Sequence, residues 1–354
     1  MTSLDHLGFR PFFSQRFESL QRPDLVPARI AADGQSAWHL AGCRAPVGEL
    51  SGRLRSDLVG TARPAVGDWV AVADDDERAI IHHLLDRRTA MTRRGAGPSA
   101  MPQTIAANVD RFCIVTSANR DLNVRRIERY LAVVGESGAT PVIVLNKVDL
   151  AGDVAPMLAH LEGVALGVPI VPFSAYTGEG LNELRGQIGA GTTIAFVGSS
   201  GVGKSSLVNR LLGREAQVIN AIRDDDSRGR HTTTRRELIV LAGGGVLIDT
   251  PGMRELGLIE DSGGVDAAFA DIAEAAAACR FADCQHQTEP GCAVREAIAS
   301  GVIDAERWES FRKLQREIAA YETRRDQTLA AEERRRWKVI HKSMRTHARV
   351  TGKP

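Results

Sequence analysis

The order of three short motifs constrains this 354-residue chain more than anything else in it. Gly198-Ser199-Ser200-Gly201-Val202-Gly203-Lys204-Ser205 matches the phosphate-loop pattern G-x-x-x-x-G-K-[ST]. Asp249-Thr250-Pro251-Gly252 follows it, as the acidic turn of a GTPase does. Asn146-Lys147-Val148-Asp149, the tetrad that reads guanine, stands ahead of both, although ordinary GTPases carry it near the end. The order implies a GTPase domain cut and rejoined. Such a permutation needs original termini that lie close together, a common condition in compact domains.

Each motif sits in the context its chemistry needs. Thr192 to Val197 reads as a strand and Ser205 to Leu212 as a helix stopped by Gly213, so the glycines between them form a strand–loop–helix turn. Such a loop aims backbone N–H groups at phosphates, with the positive end of a helix beneath them. Lys204 is expected to reach the β- and γ-phosphates, and the Ser205 hydroxyl to ligate Mg²⁺. Pro141 to Leu145 reads as a buried parallel strand delivering Asn146 to Asp149. The Asp149 carboxylate can accept from N1–H and the exocyclic amine of guanine, groups that adenine lacks, while Lys147 lays its stem across the base. Phe173-Ser174-Ala175 ends another apolar run, where backbone N–H groups would meet the guanine carbonyl.

Glu237 to Leu241 and Val246 to Ile248, joined by Ala242-Gly243-Gly244-Gly245, read as a β-hairpin that ends at Asp249, a second candidate for Mg²⁺. The Gly252 N–H is suited to sense the γ-phosphate. Arg228 to Thr234 is polar and correctly placed for a first switch. Thr233 is the favoured Mg²⁺ ligand there, though three threonines in a row leave the choice open. Met253 stands where many GTPases carry a water-orienting glutamine, and a thioether cannot polarise water. His231 is the local candidate for that work. Read singly, most of these are ordinary polar turns and exposed loops; five of them in register make chance improbable. The catalytic set expected is therefore His231, Lys204 and Thr233. The domain is expected to begin near Thr104, with a strand over Arg111 to Thr116 and a helix whose buried stripe is Val124, Ile127, Leu131 and Val134. It should end soon after Gly252, so the second switch leads straight into the next domain.

Cys279, Cys284 and Cys292 place three of the five cysteines within fourteen residues, and His286 joins them in the spacing C-x₄-C-x-H-x₅-C. Three thiolates and an imidazole make a closed tetrahedral Zn²⁺ set, structural rather than catalytic. The plain alternative is reduced, packed cysteines. Cys43 and Cys113 are isolated, and a nucleotide site suggests a reducing cytoplasm, so disulfides are not expected.

Composition, 43% hydrophobic and 25% charged, describes a globular chain. No signal pattern opens it and no long apolar run appears, which argues against secretion or membrane spanning. The net charge of +1 hides a basic end: Arg334 to Pro354 holds eight Lys or Arg and no acid. That tail suits RNA phosphates, or equally a solvated helix face. Ala37 to Cys43, Gly67 to Val72 and Arg78 to Leu85 are strand-like, separated by turn signals, and fit a small β-barrel of OB type. The organisation expected is an uninformative N-terminal segment over 1–34, a barrel over 35–92, a linker over 93–103, the permuted GTPase domain over 104–262, and a helical zinc-binding domain with its basic tail over 263–354. The fold class is multidomain α/β.

With these residues in view, the chain resembles the circularly permuted bacterial family called ribosome small-subunit-dependent GTPase A. The resemblance runs from about Gln35 to Glu317. It is carried by Ala107-Asn108-Val109-Asp110, Leu145 to Leu150, Ser200 through Ser206, Gly229 to Thr234 and Glu289-Pro290-Gly291-Cys292-Ala293-Val294. It implies an OB barrel, a permuted GTPase domain and a helical zinc domain, with a role in late maturation of the 30S subunit, binding to 16S rRNA and hydrolysis stimulated by that subunit. Carried over by position, Asn146 to Asp149 and Gly198 to Ser206 bind GTP, and Cys279, Cys284, His286 and Cys292 bind zinc. His231 is similar to the histidine the family is proposed to use in place of glutamine. Ser199 stands where a glutamine is common. A cytoplasmic monomer is expected. Two other readings stay open: a nucleotide-sensing RNA-binding module with little hydrolysis, and a permuted GTPase acting on another RNA.

Overall fold

The computed structural model describes residues 3–34, 37–58, 63–75, 77–93, 102–119, 122–213, 217–218, 236–249 and 264–323, with residues 326 and 334. Five strands close the N-terminal barrel: β1 Val26–Ala32, β2 Trp38–Ala41, β3 Val47–Leu50, β4 Trp69–Asp74 and β5 Ala79–Leu84. They pair in the order β1-β2-β3-β5-β4, and β4 returns to β1. The β3–β5 pairing is parallel and the others antiparallel, the arrangement of an OB barrel. Ala28, Ile30, Trp38, Leu40, Val70, Val72 and Ile81 fill it.

The barrel begins earlier than the expected residue 35. Its first strand lies within the N-terminal 34 residues, and Val26-Pro27-Ala28-Arg29-Ile30-Ala31-Ala32 is buried almost throughout because neighbours cover both faces. That strand defeats pattern reading: continuous burial removes the alternation, and Arg29 breaks the apolar run. Arg29 is fully buried and donates to the carbonyls of Gly67 (3.1 Å), Leu7 and Asn108 (3.2 Å). Burial pushes its guanidinium down to about 10, while the nearby Asp110 and Asp68 work against that.

β6 Ala90–Arg93 pairs with β7 Gln103–Ala107 in a separate antiparallel ribbon. Residues 94–101 of the expected linker lie outside the described residues. Asn108, in the left-handed region at φ 55°, then turns the chain into the larger sheet. Its amide donates to the Gly67 carbonyl and accepts from Arg88 N–H. Asp110 receives the Thr193 N–H at 2.7 Å and pairs with Arg88 at 3.2 Å. The Ala107–Asp110 stretch is thus a joint between barrel and sheet.

The larger sheet contains β8 Arg111–Ser117, β9 Thr140–Asn146, β10 Ile170–Phe173, β11 Thr193–Val197, β12 Gln217–Val218, β13 Glu237–Val240 and β14 Val246–Asp249. Its order is β10-β9-β8-β11-β14-β13, with β12 on β13. The first five are parallel, and β13 runs antiparallel to β14. β8, β9 and β11 are buried on both faces, as parallel strands between helices must be. The register sets Ser117 beside Asn146 and Asn146 beside Phe173, so three loops leave the sheet at its carboxyl edge together.

Helix Val124–Glu136 starts with Asn123 as N-cap, its side chain accepting the Arg126 N–H at 3.0 Å. Ile127, Leu131 and Val134 are buried as expected and Val124 is half-buried, but Glu128, Tyr130, Ala132 and Val133 are buried too. The wider burial has a cause in the C-terminal helices. Helix Gly264–Ala268 approaches so closely that a Cβ on Gly264 would lie 2.4 Å from the Ala132 carbonyl oxygen. Helices Ala270–Ala277 and Ala293–Ala299, and a helix over 305–323, complete that part. Among the described residues, no helix is long and apolar enough to cross a membrane.

Candidate functional site

The phosphate loop joins β11 to helix Lys204–Leu212 at the carboxyl edge of the parallel sheet, where ligands of open α/β folds bind. Two glycines are required sterically. Gly198 has φ 146°, and a Cβ there would meet the Val115 carbonyl oxygen at 2.3 Å. Gly203 has φ 96°, and a Cβ there would meet the Asn146 amide nitrogen at 2.3 Å. That second contact is where the two separated motifs meet. The Asn146 side chain donates to the Val202 carbonyl at 2.8 Å and accepts the Ala175 N–H at 3.3 Å. One buried amide therefore ties together the tetrad, the phosphate loop and the Ser174-Ala175 turn.

Lys147, left-handed at φ 64°, begins the short helical turn Val148–Leu150 and donates its ammonium to the Gly201 carbonyl at 2.7 Å. The Asp149 carboxylate is exposed, and the buried Ser174 hydroxyl donates to it at 2.5 Å. Ser174 also accepts the Thr177 N–H at 3.0 Å, which fixes the turn against the carboxylate. Sequence reading gave Ser174 only a backbone role; its hydroxyl is the seat of Asp149. Lys204 donates to the carbonyls of Gly198 and Ser199 at 2.6 and 2.7 Å, so its ammonium lies over the loop. Ser200, Ser205 and Ser206 are exposed along the same mouth. Asp249 ends β14 half-buried, and burial holds its carboxyl above the usual carboxylate range. A cation beside it would reverse that preference. His231, Thr233 and Gly252, with Met253 and the basic stretch Arg335 to Pro354, lie outside the described residues.

Arg126 was not anticipated from sequence. Its guanidinium donates to the Ser199 hydroxyl at 2.8 Å, so a helix far along the chain braces the loop.

The second constellation is the cluster of Cys279, Cys284, His286 and Cys292, whose ligand atoms lie within 4.8 Å of one another. Cys279 Sγ is 3.9 Å from Cys292 Sγ, and His286 Nδ1 is 3.5 and 3.4 Å from those two sulfurs. A tetrahedral zinc site with Zn–S of about 2.3 Å has ligand–ligand edges of about 3.6–3.8 Å, so the donor set fits one such ion. Cys279 follows helix Ala270–Ala277, and Cys292 is the N-cap of helix Ala293–Ala299. Between them Glu289 collects the N–H groups of Gln285, Gln287 and Thr288 at 2.8–3.0 Å. Backbone N–H donation, its own and that of Gln285 and Gln287 foremost, takes its carboxyl down to about 2. Trp308 stands edge-on to the His286 ring at 5.6 Å, joining the cluster to the helix over 305–323.

Among the described residues, a seven-stranded mixed sheet with the base-reading strand ahead of the phosphate-loop strand is the fold of a circularly permuted GTPase. Comparisons agree. A family model described as RsgA GTPase matches residues 84–259, and one described as 50S ribosome-binding GTPase matches residues 193–329. The chain is 44% identical over 364 residues to the small ribosomal subunit biogenesis GTPase RsgA of Opitutus terrae, covering 99% of each. It is 41% identical over 360 residues to that of Syntrophotalea carbinolica, again over 99% of each. Among solved structures, YjeQ from Thermotoga maritima superposes with a TM-score of 0.63 at 27% identity, over 83% of this chain and 99% of that one. YloQ, described as a circularly permuted GTPase, gives 0.61 at 24% over 84% and 96%, a likeness of fold. The chain belongs to the RsgA family of GTPases and is a GTP hydrolase.

Proposed function

We propose that the protein hydrolyses GTP as a late assembly and maturation factor of the 30S ribosomal subunit, that it binds 16S rRNA, and that the subunit stimulates hydrolysis and is released with it. One observation carries the nucleotide half of this reading: the Asn146 side chain bridges the Val202 carbonyl and the Ala175 N–H. The ribosomal half is supported by relatives, named for small-subunit biogenesis, that align end to end at 41–44% identity.

In this reading Asp149 reads the guanine edge, Lys147 covers the base, and the Ser174-Ala175 turn lies on the side of the guanine carbonyl. Gly198 to Ser206 cradle the phosphates and Lys204 neutralises charge developing on the γ-phosphate. Ser205, Thr233 and Asp249 would hold Mg²⁺, which supplies charge neutralisation at the β- and γ-oxygens. Gly252 senses the γ-phosphate. His231 orients the attacking water, since Met253 has no polar group to do so. The Cys₃His cluster takes one structural Zn²⁺. The protein works as a cytoplasmic monomer.

Nucleotide-dependent co-sedimentation with purified subunits tests the coupling. Retention on 30S with a non-hydrolysable GTP analogue, and loss with GDP, is expected. Equal retention with both would remove the release step. His231→Ala should abolish most of the stimulated turnover; unchanged stimulation would remove its catalytic role.

A further inference from the structure

Helix Val124–Glu136 and the helix over 305–323 flank an open groove of about 700 Å³. Arg125, Arg126 and Arg129 line one wall, Lys313 and Arg316 the other. Two carboxylates, Glu306 and Glu309, share it, so cations prevail. Part of that charge is answered internally: Arg125 pairs with Asp304, with Glu128 at 2.7 Å and with Glu306 at 3.5 Å, Arg129 with Glu317 at 2.7 Å and Arg316 with Glu309 at 3.9 Å. Arg126 and Lys313 are both exposed, and among the described residues neither has a carboxylate within 4.0 Å. Asn123 and Ser310 add neutral hydrogen-bonding groups.

Arg126 links the groove to the nucleotide site. The Arg126 guanidinium that faces the groove donates to the Ser199 hydroxyl at 2.8 Å, and the Ser199 carbonyl accepts Lys204 at 2.7 Å. A neutral hydroxyl is a weak partner for a guanidinium. A phosphate oxygen brings a full negative charge and an often bidentate geometry that a hydroxyl lacks. An anion entering the groove therefore competes with Ser199 for Arg126.

We propose that this groove takes an RNA phosphate backbone, and that an RNA phosphate drawing Arg126 from Ser199 makes occupancy felt at the phosphate loop. Cations on two facing helices suit a chain of regularly spaced phosphates better than an isolated anion. The choice of RNA rests on the ribosomal reading above.

The test uses the full-length protein and two variants, Lys313→Ala and Arg126→Gln, with a mixed-sequence RNA duplex and purified 30S subunits as probes. Each variant should bind both probes roughly three- to tenfold more weakly, with the slope of log affinity against log salt reduced by about one. At saturating 30S, Lys313→Ala should show the wild-type stimulation over basal turnover, whereas Arg126→Gln, whose Ser199 is already released from the guanidinium, should show a smaller stimulation over its own basal rate. Wild-type affinity and salt slope in both variants, or no binding of wild type to the duplex, would overturn the groove. A wild-type ratio of stimulated to basal turnover in Arg126→Gln would overturn the coupling to the loop. Loss of duplex binding in the variants, with no wild-type binding to 30S, would keep the groove and sink the ribosomal reading instead. Binding of a poly-glutamate peptide that both variants lose, with RNA binding intact, would assign the groove to an acidic protein and contradict the proposal.

Discussion

Glu128, on the first turns of helix Val124–Glu136, accepts a 2.8 Å hydrogen bond from the Arg307 guanidinium, and the two side chains are 0% and 5% exposed. Arg307 also holds Asp271 through two bonds of 2.7 and 2.8 Å and the Ala268 carbonyl at 2.9 Å. Its face lies 4.7 Å from the Phe269 ring. One guanidinium thus joins the GTPase domain to two helices of the part that carries the Cys₃His cluster. Removing Glu128 leaves Arg307 still paired with Asp271, so the cost is that of one buried bond between charged groups, about 1.5–3 kcal/mol. Glu128→Ala should destabilise by that much in urea unfolding, while the exposed Arg53→Ala should change nothing measurable.

The same cluster sets a pH dependence. Burial tends to raise the Asp271 carboxyl, but the hydrogen bonds and charge of Arg307 outweigh it and hold the group below its ordinary value of 3.8. A depressed carboxylate contributes stability above its unfolded pKa and loses it as pH falls through the folded one. Stability should therefore decline on acidification below about pH 4, and Asp271→Asn should flatten that part of the profile. An unchanged acid limb in the variant would assign the decline elsewhere.

Asp149→Asn replaces a charged acceptor with an amide that can donate. Guanine then loses two bonds to a charged group, and GTP affinity should fall by two orders of magnitude or more, about 3 kcal/mol. Xanthosine triphosphate, which presents a carbonyl there, should gain. Competition against a fluorescent GDP reads both.

Cys284→Ser should reduce metal content from one zinc per chain toward none, measured by elemental analysis after desalting. Chelation of the wild-type protein should lower its thermal midpoint by several degrees, since a structural site contributes directly to folding. A full complement of zinc in the serine variant would exclude this ligand set.

Arg29→Met removes the donor that serves three backbone carbonyls at the joint between barrel and sheet. Bonds to a charged group contribute about 1.5–3 kcal/mol each, and part is regained by dispensing with a buried charge, so a loss of about 3 kcal/mol is expected. Chemical denaturation followed by intrinsic fluorescence checks it, because Trp69 sits 5.4 Å from the guanidinium.

The strands and the glycine turn of the candidate nucleotide site were legible because they are local. A strand, a glycine turn and a helix start appear within a dozen residues, and β9, β11 and β14 stand within a residue or so of where apolar runs placed them. The barrel's opening strand was hidden because burial on both faces erases alternation and Arg29 reads as surface. Glu128 lies off the apolar stripe of its helix, and its partner is 179 residues away; nothing local announces such a pair. Arg126 was invisible for the same reason, at 73 residues from Ser199. Chemistry carried by spacing could be read, and chemistry assembled by tertiary contact could not.

The most direct measurement of the central claim is GTP hydrolysis by the purified protein alone, with 30S subunits and with 50S subunits. A large rise with 30S and none with 50S is the predicted result. Equal turnover in all three, or a rise confined to 50S, would contradict a GTPase that works on the small subunit.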